Sequence, residues 1–160
     1  MRKTLDWISV ALLAVLVWIT WRAVYGPVPL PARIPAHFNA AGQPDAWGNP
    51  ASVWLLPVVA VALYCIISVV ALFPSAFNFP MRVSPANRAR LEGVTLRMIS
   101  WVKLELCCLF LFIQWSILDS VQSGRGTLSP VIMPVFLVAV FGTVIVHAVM
   151  VFRAARRPSA

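Results

Sequence analysis

The chain has 160 residues, of which 61% are hydrophobic and only 11% charged, and its mean hydropathy is +0.86. Soluble domains carry about 25% charged residues, so too few polar side chains are present to cover a water-exposed surface. The formal net charge of +8 would in a soluble protein raise nucleic-acid binding. Here the basic residues lie beside apolar runs, with no recognition module, so the expected partner is the lipid bilayer and not nucleic acid.

A spanning helix needs about 20 predominantly apolar residues. The first such run covers about 5–25, after Arg2 and Lys3. A cleaved signal peptide competes for this segment, but its apolar stretch is normally about 7–15 residues. This run is longer and ends on Trp18, Trp21, Arg22 and Tyr25, an interfacial anchor, so a retained helix is expected. Residues 26–52 read as a long loop. Pro27, Pro29, Pro31 and Pro35 remove backbone donors and impose extended geometry, and a loop of this length is a functional candidate.

The second span covers about 53–73, with Trp54 at its start, Pro57 in its first turns and Pro74 closing it. Ser84-Pro85 has the form of an N-cap followed by proline at the first helical position. A helix starting there runs through Arg88, Arg90 and Glu92. It gives a third span at about 98–119, behind a basic, partly helical loop at 76–97. A turn containing Ser123, Gly124, Arg125 and Gly126 leads to the fourth span at about 130–152, closed by Arg153, Arg156 and Arg157. Cys65, Cys107 and Cys108 all fall inside apolar runs without metal-ligand spacing and read as packing residues.

Basic residues set the orientation. The N-terminus, the 76–97 loop and the C-terminus carry Arg2, Lys3, Arg82, Arg88, Arg90, Arg97, Arg153, Arg156 and Arg157, against Arg22, Arg33 and Arg125 in the opposite connections. The positive-inside rule places both termini in the cytoplasm and the 26–52 loop outside. The expected fold is therefore an all-α integral membrane protein, one domain over 1–160, with about four transmembrane helices in a bundle and one long external loop.

The external loop is the most informative segment. Ile34 and Phe38 are apolar anchors for the helix ends, Asn39 and Gly42 suit positive φ, and Trp47 suits the headgroup boundary. The run from Leu30 to Gly48 resembles the pattern LPxxIPxHFNxxGxPDxWG. That pattern marks an uncharacterised bacterial membrane domain found at the N-terminus of SdpI-type toxin-immunity proteins and in short stand-alone relatives. The likeness is close from Leu30 to Pro57. It extends to Phe77-Asn78-Phe79-Pro80-Met81-Arg82-Val83, to Pro85, Asn87 and Arg90, and to Leu109–Trp115. The resemblance implies a bacterial inner-membrane protein of immunity or envelope-signalling type, with a peptide toxin or a membrane-sequestered regulator as partner. The second domain that accompanies immunity proper is not found in the sequence. Within the loop the ligand-contact candidates are His37, Asn39, Gly42, Asp45 and Trp47. A metal site there competes with a structural role in which His37 and Asp45 bond loop backbone. Metal sites usually need three or four ligands, and no metal or cofactor is expected.

Charged groups in hydrocarbon cost at least about 2.5–3.5 kcal/mol at a helix centre, which singles out Lys103, Glu105 and His147. Measured from Arg97 and Arg153, Lys103 and His147 lie about 9 Å and Glu105 about 12 Å into their helices, at 1.5 Å per residue. All three thus share a depth near the cytoplasm. Glu105 paired with His147 or Lys103 is the expected arrangement, with Lys103 alternatively snorkelling to headgroups. Gln114 reads as an interhelical hydrogen bond and Asp119 as an interface residue. No HExxH, GxSxG, CxxC or paired-carboxylate motif is present, so no catalytic residues and no enzymatic activity are expected. The leading expectation is a non-enzymatic membrane protein that meets its ligand through the external loop. The alternative is a small transporter or accessory subunit using Glu105, Lys103 and His147.

Overall fold

The structure is a computed structural model that describes residues 1–123, 127 and 129–156. The expected turn at Gly124, Arg125 and Gly126, and the terminal Arg157, lie outside the described residues. Four long helices are present among those residues: α1 (Arg2–Tyr25), α2 (Leu55–Val70), α3 (Pro85–Ser123) and α4 (Ile132–Arg156). Between α1 and α2 lies a two-stranded antiparallel hairpin, β1 (Ile34–Phe38) and β2 (Pro44–Gly48). A short 3₁₀ turn, Pro50–Trp54, leads from the hairpin into α2.

The hairpin corrects the expectation of an all-α chain with an unstructured 26–52 loop. Proline removes a backbone donor, yet its fixed φ suits edge strands as well as loops. The turn supplies the missing order. Asn39 Oδ1 accepts from the backbone N–H groups of Ala41 and Gln43, at 2.9 and 3.1 Å. Asn39 N–H donates to Gln43 O and Gly42 N–H to Asn39 O. Gly42 is buried and has φ 74°, where a Cβ costs about 1–2 kcal/mol. Asn39 does not take the positive φ expected of it, since Gly42 alone does so among the described residues; it closes the turn with its side chain. Gly42→Ala is expected to lower stability by about 1 kcal/mol, read as faster proteolysis at the turn.

Helix α3 begins where Ser84-Pro85 placed it. Ser84 N–H donates to Asn87 Oδ1 at 2.8 Å and Asn87 N–H to Ser84 Oγ at 3.3 Å, a reciprocal cap around proline at the first helical position. Much of the expected 76–97 loop is thus helix.

The hydrogen bonds and core contacts order the helices. Asp6 of α1, Ser68 of α2 and Lys103 of α3 meet at one end, where Leu91 and Val94 of α3 also pack on Ala154 of α4. Ala23, Ile34, Val53 and Leu118 meet at the other. Helices α1 and α3 therefore run parallel, and α2 and α4 run against them. Buried Ser9 and Thr20 turn their hydroxyls back onto Leu5 O and Leu16 O, satisfying themselves within α1. Small residues of this kind let helix backbones approach closely in lipid, and α1 with α3 is the most extensive helix contact.

Three helical segments are long and apolar enough to cross a membrane by length and composition: Arg2–Tyr25, Pro50–Val70 and Ile132–Arg156. The expected spans at about 5–25, 53–73 and 130–152 fall on them, whereas the one at 98–119 lies on α3, which is not among the three. Only 6% of the most apolar stretch of α4 is buried, and Val138, Phe141 and Ile145 point outward. An apolar exterior of this extent is what a membrane protein requires.

Candidate functional site

At the hairpin end, Ile34 is 1% exposed and wedges among Ala23, Val53 and Leu118. This seats the hairpin on α1, α3 and the 3₁₀ turn before α2, the anchoring role expected of it. Gly48 allows the close fit behind the hairpin, because a Cβ there would stand 2.8 Å from Ser52 Oγ and 3.2 Å from Ala36 Cβ. The strand register pairs Pro35 with Trp47, His37 with Ala46 and Phe38 with Pro44, leaving Ala36 and Asp45 without a partner. Bulged residues re-aim their side chains, and Asp45 Oδ1 lies 2.5 Å from His37 Nδ1.

The two residues thus bond each other and not loop backbone. Both are exposed, the side chains at 69% and 44%, and Trp47 is exposed beside them. Among the described residues no three His, Cys, Asp or Glu side chains group to hold a metal ion. Exposed ion pairs contribute about 0–1 kcal/mol, so His37→Ala and Asp45→Ala should each shift the unfolding midpoint little. A larger loss in either variant would make the pair structural. Of the other ligand-contact candidates, Asn39 and Gly42 are committed to the turn. They also border a cavity of about 220 Å³ that Phe38 shares with Phe112, Ile132 and Met133. The hairpin tip is therefore separated from α3 and α4 by a mostly apolar space.

The polar residues expected inside the membrane are arranged differently from expectation. Lys103 does pair with a carboxylate, but with that of Asp6, at 2.7 Å. Lys103 Nζ also donates to Ser68 Oγ at 3.2 Å and lies 4.7 Å from the Tyr64 ring centre. Ser100 Oγ donates to Asp6 Oδ1 at 3.1 Å. Lys103 is 5% exposed, and its ammonium ties α3 to groups of α1 and α2. Sequence reasoning missed Asp6. The signal was present: a single acid one turn beyond Arg2 and Lys3, at the depth that a parallel α3 gives Lys103.

Glu105 and His147 do not contact each other, which corrects the expected pairing. Both attach to Thr143, whose hydroxyl donates to Glu105 Oε1 at 2.5 Å and whose carbonyl accepts from His147 Nδ1 at 2.8 Å. A carbonyl only accepts, so Nδ1 carries the hydrogen and Nε2 is the position left to take up a proton. Glu105 Oε2 is buried without a hydrogen-bond partner and borders an apolar groove between α3 and α4. Gln114, 0% exposed, donates to Thr20 Oγ1 at 2.8 Å and to Val53 O at 3.2 Å. It ties α1, α3 and the turn before α2 together. Asp119 borders a cavity with Arg22 at the hairpin end.

These features define the class: a mostly helical, membrane-type chain with a structured hairpin seated on its helix ends. A family model described as a domain of unknown function (DUF1648) matches residues 12–61, which take in most of α1, the hairpin and the first part of α2. No curated protein and no solved structure matches the chain.

Proposed function

We propose that this chain is a non-enzymatic, multispanning membrane protein of the SdpI-like immunity or envelope-signalling type, which meets a peptide toxin or another membrane-borne ligand through the exposed edge of its hairpin. In this reading α3 is the fourth crossing. Its support is that α3 packs on all three of the apolar helices along its length. A helix so enclosed has to share their solvent. The basic residues at the opposite end from the hairpin then set both termini and the 76–97 segment in the cytoplasm of a bacterial inner membrane.

The observation that carries the ligand reading is the hairpin itself. Ile34 fixes it rigidly to three elements, while His37, Asp45 and Trp47 stand outside as a polar and aromatic edge that packing does not need. Rigid aromatic and charged groups on a fixed scaffold suit recognition. The test is deletion of the gene followed by challenge with secreted peptide toxins. Deletion should sensitise the cell, and Trp47→Ala or His37→Ala should fail to restore protection at unchanged protein level. Unaltered sensitivity in the deletion strain would remove the immunity reading.

A second reading, a small transporter or accessory subunit, is favoured by the Glu105–Thr143–His147 connection and the unpartnered Oε2. Buried ionisable groups inside a membrane are functional candidates by default. This reading requires a pH-dependent flux in proteoliposomes that Glu105→Gln abolishes.

A further inference from the structure

Opposite the hairpin, two adjoining cavities open at the helix ends. The inner one, about 260 Å³, is bordered by Asp6, Tyr64, Ser68, Ser100 and Lys103, and it opens past Leu72 and Arg2. The outer one, about 400 Å³, is formed by Arg2 of α1 with Ala89, Arg90, Gly93, Leu96 and Arg97 of α3. Arg2 and Leu96 line both, so the two adjoin each other.

The charges are unevenly divided between them. In the inner cavity Lys103 is neutralised by Asp6. The outer one has three guanidinium groups and no carboxylate in its lining. Arg90 Nη1 bonds Ala154 O at 3.2 Å, which fixes its position and leaves its other donors available. Among the described residues neither Arg2 nor Arg97 is paired with an acid, while the nearby Glu92 is bound to Arg88. All three arginines line this space, and guanidinium forks match phosphate oxygens, which accept bidentate arginine. Gly93 supplies the room, since a Cβ there would meet nothing within 4 Å. The adjoining inner cavity is bordered by Leu72, 72% exposed and two residues past the end of α2.

We infer that this outer cavity is a binding site for the phosphodiester headgroup of an anionic phospholipid, held by Arg2, Arg90 and Arg97 with an acyl chain lying along the α2 side. The inference rests on the membrane placement of the helices and is independent of what the hairpin binds.

The experiment places the detergent-purified full chain in nanodiscs of equal parts phosphatidylglycerol and phosphatidylcholine and counts retained lipid by native mass spectrometry. The wild type should retain phosphatidylglycerol preferentially. Each cation near the surface contributes about a fivefold preference, so Arg2→Gln with Arg97→Gln should reduce retention about 25-fold. Gly93→Phe keeps every charge and fills the cavity, and should reduce retention as strongly, while Gly93→Ala should not. Equal retention of both lipids by the wild type overturns the inference, as does full retention in Gly93→Phe. Displacement of phosphatidylglycerol by millimolar inorganic phosphate would overturn the lipid assignment and leave a free-phosphate site. Failure of the chain to enter nanodiscs at all would instead count against the membrane reading beneath it.

Discussion

Lys103→Met is expected to lower the stability of this protein by about 3 kcal/mol, whereas Lys103→Met combined with Asp6→Leu should cost about 1 kcal/mol or less. The reasoning follows from how the pair is buried. Removing one partner of a buried ion pair costs about 3–5 kcal/mol because the remaining charge is stranded. Replacing both with apolar groups of similar volume is often neutral. The Lys103 side chain is 6% exposed and that of Asp6 29%, so the stranded carboxylate keeps some solvent and the lower end of the range applies. Ser100 Oγ still donates to Asp6 in the single variant, which limits the loss further. Unfolding in mixed micelles with increasing sodium dodecyl sulfate measures both variants. Equal losses in the single and double variants would show that the packing of the lysine stem, and not the charge pair, carries the stability.

Ile34→Ala is expected to have the second large effect, and a local one. The side chain is 1% exposed in a cluster with Ala23, Val53 and Leu118, and truncating a buried isoleucine to alanine costs about 2–5 kcal/mol. The hairpin has only two strands, and such a pair is marginal in water without packing on something else. Its packing is this residue and the buried Pro35 beside it, together with Phe38 over the α3–α4 cavity. Loss of Ile34 should therefore release the hairpin before the helices. Amide exchange should rise over Ile34–Gly48 while exchange within α1 and α3 stays slow. Uniform acceleration through all the helices would mean that the hairpin is a keystone of the whole assembly and not a seated appendage.

Much of this arrangement was legible in the sequence because it depends on local signals. Apolar runs marked α1, α2 and α4, and Ser84-Pro85 marked the start of α3. Ile34 was identifiable as an anchor and Gln114 as an interhelical bond. The hairpin was not identified, because Pro35 and Pro44 suppress the strand signal while its order comes from the Asn39 side chain and the bulge at Asp45. The ion pair was misassigned for a different reason. Depth along the helices, which is all that residue spacing gives, does not say which helix faces which. Asp6 of α1 and Thr143 of α4 took the partners that Glu105 and His147 had been expected to provide for Lys103 and each other.

Helix α3 is 39 residues long, which at 1.5 Å per residue makes it about 58 Å, nearly twice the roughly 30 Å of a bilayer's hydrocarbon core. It contains no proline beyond its first position, so it has no built-in joint. Leu118 near its far end touches the hairpin seat, and Arg90 near its beginning grips the last turn of α4. Such a member would behave as a lever: a tilt imposed at the hairpin moves Arg90 the opposite way, with an amplitude set by where the rod is clamped. The Asp6–Lys103 pair clamps α3 between those two contacts, and so it is the fulcrum about which any such tilt would turn.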